Sequence, residues 1–186
     1  MVVTPARRSH MAAALAITGL LVLSGCLTAD STMQADGSGT MTLTYPPPGG
    51  ASKASETKRF TSDAVTVESL TMAADGKTAT VKLKFTDATK LVSAKALRNL
   101  SITRTPGDGT EKVTIVIKPD LVVKLTPEQV KDEPPLKIKV TLPGTVREAN
   151  AKAATDGATV TWTIPVGDFL ANPSTEMTVT YEVKKA

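Results

Sequence analysis

The sequence is short of the side chains that most enzymes use. Its 186 residues contain one histidine, one cysteine and one tryptophan, with two tyrosines and three phenylalanines as the other aromatics. The histidine is His10 and the cysteine is Cys26, both near the start. If the segment before Cys26 is removed and the cysteine is acylated, no imidazole and no free thiol remain. That excludes histidine-dependent triads, cysteine nucleophiles, Cys/His zinc sites and structural disulfides. Gly-rich phosphate loops, calcium-loop spacing and nucleophile elbows are also missing, so no cofactor and no metal is expected.

What is present begins with an address. Arg7 and Arg8 precede an apolar run, Ala12 to Leu23, that is too short to span a bilayer. Leu23-Ser24-Gly25-Cys26 follows directly. Charged, apolar and small-residue regions in this order read as a lipoprotein leader cleaved between Gly25 and Cys26, with the Cys26 thiol carrying a diacylglycerol. Residues 1–25 are then the signal peptide, 26–35 a tether or first strand, and 36–186 one envelope domain. Two or more acyl chains give stable attachment without a spanning helix. The expected location is the extracytoplasmic face of the cell membrane or outer membrane; Leu27, rather than Asp, favours the outer membrane where there are two.

Charge gives little direction. Of 22 basic side chains Arg7 and Arg8 fall in the leader, leaving 20 against 18 acidic ones. So small an excess implies no polyelectrolyte partner, and nucleic acid is not expected.

Alternation of apolar and polar residues dominates the rest. Met41 to Tyr45, Val65 to Met72 with a phase slip near Ser69, Ala79 to Phe85, Leu136 to Leu142, Val160 to Ile164 and Met177 to Val183 each put one face in a core. Leu100 to Ile102, Val113 to Ile117 and the short run Leu121 to Leu125 add strands. Turns fall at Asp36-Gly37, Asp75-Gly76 and Pro106-Gly107-Asp108-Gly109. Ala51 to Phe60 fits a short helix or a loop. Asp87 to Asn99 has helical length and a cap, and Thr126-Pro127-Glu128-Gln129 starts a short helix that Pro134-Pro135 must end. The expectation is an α+β domain: a mainly antiparallel, curved sheet of about eight or nine strands with two short helices packed on it. A β-sandwich is the competitor, set aside on the helical reading of Asp87 to Asn99.

Leu142-Pro143-Gly144 with Asn150, followed by Asp156-Gly157-Ala158-Thr159-Val160-Thr161-Trp162, resembles the LppM-like group of bacterial lipoproteins. The cysteine box ahead of Asp36-Gly37-Ser38-Gly39, and the Lys84-Phe85-Thr86-Asp87 junction, fit the same layout. The resemblance covers most of the mature chain and implies location and fold rather than chemistry. Members that carry a C-terminal transmembrane helix differ from this chain, which ends at Val183-Lys184-Lys185-Ala186; the expectation here is attachment by lipid alone.

Candidate ligand-facing residues are Trp162 and Asn150, with Lys82, Lys84, Lys137 and Lys139. Trp162 reads first as a core anchor and Asn150 as a turn residue. The lysines, with Lys112, Lys118 and Lys124, read first as solvent-face charges that keep a sheet from aggregating. The favoured activity is non-catalytic binding of an envelope protein, or of an amphiphile held in an apolar pocket between the sheet and its helices. A structural envelope protein without a ligand is the alternative. A glycan hydrolase using two of Asp87, Glu128, Asp132, Glu133 and Asp168 ranks below both.

Overall fold

The computed structural model describes residues 27–120, 122, 126–130, 132–150 and 152–183. Gly25, Cys26, Lys124 and all but Val122 of the run from Leu121 to Leu125 lie outside the described residues.

The chain opens in a strand, β1 (Thr28–Met33), and returns through the Asp36-Gly37 turn into β2 (Gly39–Tyr45). Gly37 sits at φ +88°, a left-handed conformation that glycine adopts without steric cost. Helix α1 (Lys53–Phe60) follows; Ser52 caps it by accepting from the Ser55 N–H, and the Ser55 hydroxyl accepts the Ser52 N–H in return. Strands β3 (Val65–Met72) and β4 (Ala79–Phe85) form a hairpin whose register slips between Val67 and Ser69, leaving Glu68 as the extra residue of a bulge. Then come β5 (Leu100–Pro106), β6 (Thr110–Ile117), α2 (Pro127–Val130), β7 (Leu136–Thr141), β8 (Val146–Ala149), β9 (Ala153–Asp156), β10 (Thr159–Ile164), α3 (Val166–Ala171) and β11 (Thr175–Glu182).

These 11 strands form two open sheets rather than one curved sheet of eight or nine. The larger has the order β3-β4-β2-β1-β7-β10-β9 and the smaller β5-β6-β11-β8. Strands β8 and β9 are beyond the reach of periodicity because they have four residues each and little alternation in burial. All pairings are antiparallel except β1 with β7. That pair joins segments more than 100 residues apart, and places β1 in the middle of the larger sheet.

The expected helix from Asp87 to Asn99 is also corrected. Asp87 does cap a turn, accepting from the Thr89 N–H at 2.9 Å, but the segment forms two 3-10 turns, Ala88–Ser93 and Lys95–Leu97. Ala94 between them is extended and fully buried, so the chain dips into the core where a helix would have continued outward. With that helix gone, the ground for preferring a single sheet over two packed sheets goes too. The second helix is present as read: the Thr126 N–H donates to Gln129 Oε1 at 2.8 Å, and α2 ends ahead of Pro134-Pro135.

One core runs from Met33 to Tyr181 and draws on both sheets. Along β2 and β4 every second side chain enters it, as the alternation requires. The Pro143-Gly144 step is explained by packing. A Cβ on Gly144 would lie 1.8 Å from the Glu182 carbonyl oxygen and 3.2 Å from the Tyr181 ring. Gly144→Ala must therefore push two backbones apart, and urea unfolding should show a loss of about 1–3 kcal/mol.

An apolar cavity between the two sheets

The inner faces of the two sheets do not meet everywhere. Between β1, β2 and β7 of the larger sheet and β5 and β6 of the smaller lies a cavity of about 890 Å³. The inner face of β1 shows why. It reads Ala29, Ser31, Met33, and the two small residues stand opposite nothing large enough to fill the space. Met41, Leu43, Ile138, Ile102 and Ile115 supply most of the remaining wall, while Phe85 and Leu91 line one side and Phe169 of α3 another. Ser31 donates to the Thr40 carbonyl at 3.2 Å, so even this polar group is satisfied within the sheet.

Toward Met33 and Ile102, the cavity ends near a polar tie between the two sheets. Arg104, at the end of β5, donates to the Ala35 carbonyl at 2.8 Å and to Glu111 Oε2 at 3.0 Å, tying the turn after β1 to the β5–β6 hairpin. Both members of the Arg104–Glu111 pair are largely buried. Asp87 lies at this end, since the Ala88 N–H donates to the Gly37 carbonyl at 2.8 Å. Burial raises the Asp87 carboxyl, but the hydroxyl and N–H of Thr89 outweigh it and hold the acid below its ordinary range.

The polar lining belongs to the opposite end, where β1 begins and β5 and β6 meet at Leu100 and Ile117. Arg59, Lys95, Arg98, Lys118, Asp120 and Glu133 stand there. Arg98 and Asn99 both donate to Asp120 Oδ1, at 2.8 and 2.6 Å. Burial raises the Asp120 carboxyl; together those two donors and the Arg98 charge outweigh it, leaving the acid below the ordinary carboxylate range. Just inside, the Tyr45 hydroxyl donates to Glu56 Oε2 at 2.6 Å and Arg59 Nη1 donates to both Glu56 oxygens at 2.7 and 2.9 Å. Burial, followed by the bond to Glu56, pushes the Tyr45 hydroxyl far above its ordinary value. Tyr45 is therefore a neutral donor, and its ring packs on Phe60 with centroids 5.4 Å apart.

Of the lysines chosen from sequence as ligand candidates, only Lys139 is among the residues that border this cavity. Lys82, Lys84, Lys137 and Lys139 lie exposed on the outer face of the larger sheet. Lys82 pairs with Glu68 at 3.1 Å and Lys139 with Asp30 at 3.0 Å. Lys82 and Lys139 share a register row but are separated by β2 and β1, about 14 Å at the ordinary strand spacing. They do not form one cluster.

Trp162 and Asn150 are brought together, away from the cavity lining. Trp162 is 2% exposed, and its indole N–H donates to Asn150 Oδ1 at 2.9 Å. Asn150 also accepts the Thr178 N–H and donates to the Glu176 carbonyl, so it clips β10 to β11 across the two sheets. Of the acids considered for hydrolysis, Asp168 pairs with Lys152 at 2.9 Å in α3, and Glu133 is at the open end, about six strand residues or 20 Å from Asp87. No cluster of three metal-ligating side chains occurs among the described residues, and no helix among them is long and apolar enough to cross a membrane.

The sequence reading puts any amphiphile pocket between one sheet and its helices, and does not foresee a cavity between two sheets. The cavity's only trace is the pair of small inward positions, Ala29 and Ser31, on a strand that then proves central. Residues 27–182 match the family model described as the LppM domain, from the first described residue to the end of β11. No curated protein matches the chain.

Proposed function

This chain belongs to the LppM domain family, and on that premise we propose that it is a lipid-anchored envelope protein whose domain holds an amphiphile between its two sheets, without catalysis. The observation that carries this reading is the cavity: about 890 Å³, lined mostly by apolar side chains, with charged ones gathered at one end. Ligand pockets are commonly about 300–1,000 Å³ with apolar walls and a few polar groups that fix orientation. An acyl chain fits the wall and gains about 0.8 kcal/mol for each methylene buried. The polar head would stay near Lys95 and the remaining N–H groups of Arg59 and Arg98, which Glu56 and Asp120 engage only in part. The family name points to lipoproteins, which supports the reading of Cys26 as the acylated residue.

The test is a substitution that fills the cavity without disturbing the core. Ala29 is only partly buried and lines open space, so Ala29→Trp adds volume where none is taken. A fluorescent fatty acid should bind the native protein and bind Ala29→Trp about 10- to 100-fold more weakly, the equivalent of about 1.5–3 kcal/mol of lost apolar burial. Thermal stability should not fall. Equal binding by both proteins would remove the cavity from consideration, and native mass spectrometry of purified protein gives an independent view of any copurified lipid.

A further inference from the structure

We infer that the open end of the cavity is a docking face for the surface of an anionic bilayer, so that the cavity opens directly onto the membrane. The inference rests on the reading of Cys26 as the lipid-bearing residue and on the cavity as an amphiphile site. Its geometric basis is the position of Leu27. That residue lines the cavity, and its carbonyl accepts the Lys137 N–H at 3.0 Å, so it is already fixed in the larger sheet. Thr28 begins β1, the central strand. One peptide unit separates Leu27 from Cys26, a Cα–Cα step of about 3.8 Å. No linker intervenes. A lipid on Cys26 therefore holds this end of the domain at the bilayer and the Arg104–Glu111 end away from it.

The chemistry of the rim agrees with that placement. Lys95 and Lys118 are exposed at the open end, with no ion pair among the described residues, and Arg98 keeps more than half of its side chain exposed beside Asp120. Each lysine or arginine near an anionic surface contributes about 1 kcal/mol of attraction. Val122, two residues beyond Asp120, is 49% exposed and adds an apolar contact. Of the acids at this end, Asp120 is paired with Arg98 and Glu56 with Arg59, while Glu128, Asp132 and Glu133 belong to α2 and the turn after it, so the 3-10 turn and the end of β6 form the side that meets headgroups. An amphiphile leaving the bilayer through this end would not have to cross water.

Hydrogen exchange on the full acylated protein tests this, with the protein in nanodiscs of phosphatidylcholine containing phosphatidylglycerol and, separately, in detergent. Backbone amides of residues 95–99, 118 and 120 should exchange several-fold more slowly in the nanodisc, and those of residues 107–110 in the 106–110 hairpin should not change. Lys95→Glu combined with Lys118→Glu should remove that protection yet still bind the fluorescent fatty acid. Protection at the 106–110 hairpin, or equal change at both ends, overturns the docking face even if the fatty acid binds. Protection confined to the open end in a protein that binds no fatty acid upholds the docking face and removes the amphiphile reading instead.

Discussion

Trp162→Ala should lower the unfolding free energy by about 3–5 kcal/mol, the range for truncating a fully buried aromatic. Against a total of about 5–15 kcal/mol, that loss takes a large share of the stability of the fold. The size follows from two separate losses. The indole is 2% exposed, so its removal leaves a void under β10 that neighbouring strands cannot close. The substitution also takes a donor from Asn150 Oδ1, which is left with the Thr178 N–H alone while still clipping β10 to β11. Trp162→Phe separates the two losses: it restores most of the buried area and loses the hydrogen bond, and should cost about 1–2 kcal/mol. Urea unfolding at equilibrium measures both. Because Trp162 does not line the cavity, each variant should bind a fluorescent fatty acid as the native protein does while it remains folded. A small stability loss accompanied by lost fatty-acid binding would move the ligand site onto the Val160 to Ile164 strand.

How far such residues were legible in the sequence depends on the range of the interactions that place them. The alternation in β2, β4, β7 and β10 is local and survives intact in the fold, as do the Asp-Gly turns and the bulge near Ser69. Asp87 and Thr126 mark the starts of short turns as read, since a cap needs only its own next few residues. What failed was long-range. Nothing within Asp87 to Asn99 announces that Ala94 will be drawn to full burial, and that contact breaks the helix. The parallel pairing of β1 with β7, and the division of the strands into two sheets, depend on partners distant in sequence. The cavity is harder still, because a void is defined by what several elements fail to fill. The lysine candidates sit where alternation puts them, exposed on the face opposite the apolar residues, and of the four only Lys139 borders the cavity.

Placement of the charged groups limits the rival reading of the same domain as a hydrolase of envelope glycans. Such chemistry commonly requires two carboxyl groups about 5–10 Å apart, one of them raised in pKa. Asp87 is held below its ordinary range by Thr89, and Asp120 by Asn99 and Arg98. Glu56 is buried beside the cavity but is committed to Tyr45 and Arg59 on both oxygens. The supports for binding are thus an apolar volume and a charged rim, both independent of any acid acting as a catalyst.

Cys26→Ser should abolish lipid attachment and leave the domain folded. On the proposed reading the thiol is the nucleophile that takes the diacylglycerol, and serine at that position neither accepts it nor permits cleavage after Gly25, so the variant should accumulate as unlabelled precursor. The effect is all-or-none because attachment depends on the acyl chains together: one chain binds a bilayer only marginally, two bind it stably, and the variant has neither. Folding is a separate matter. Among the described residues the first buried core side chain is Met33 and the first strand starts at Thr28, so the core is built after position 26. The folded domain should therefore unfold within about 0.5 kcal/mol of the native one, as a change away from the core does. Metabolic labelling with an alkyne fatty acid, followed by fractionation, reads attachment directly. Label retained by Cys26→Ser would show that the acylated residue lies elsewhere, and with it the reason for placing the open end of the cavity against the membrane would disappear. Fatty-acid binding by the Cys26→Ser protein should persist, because the cavity is built from Leu27 onward.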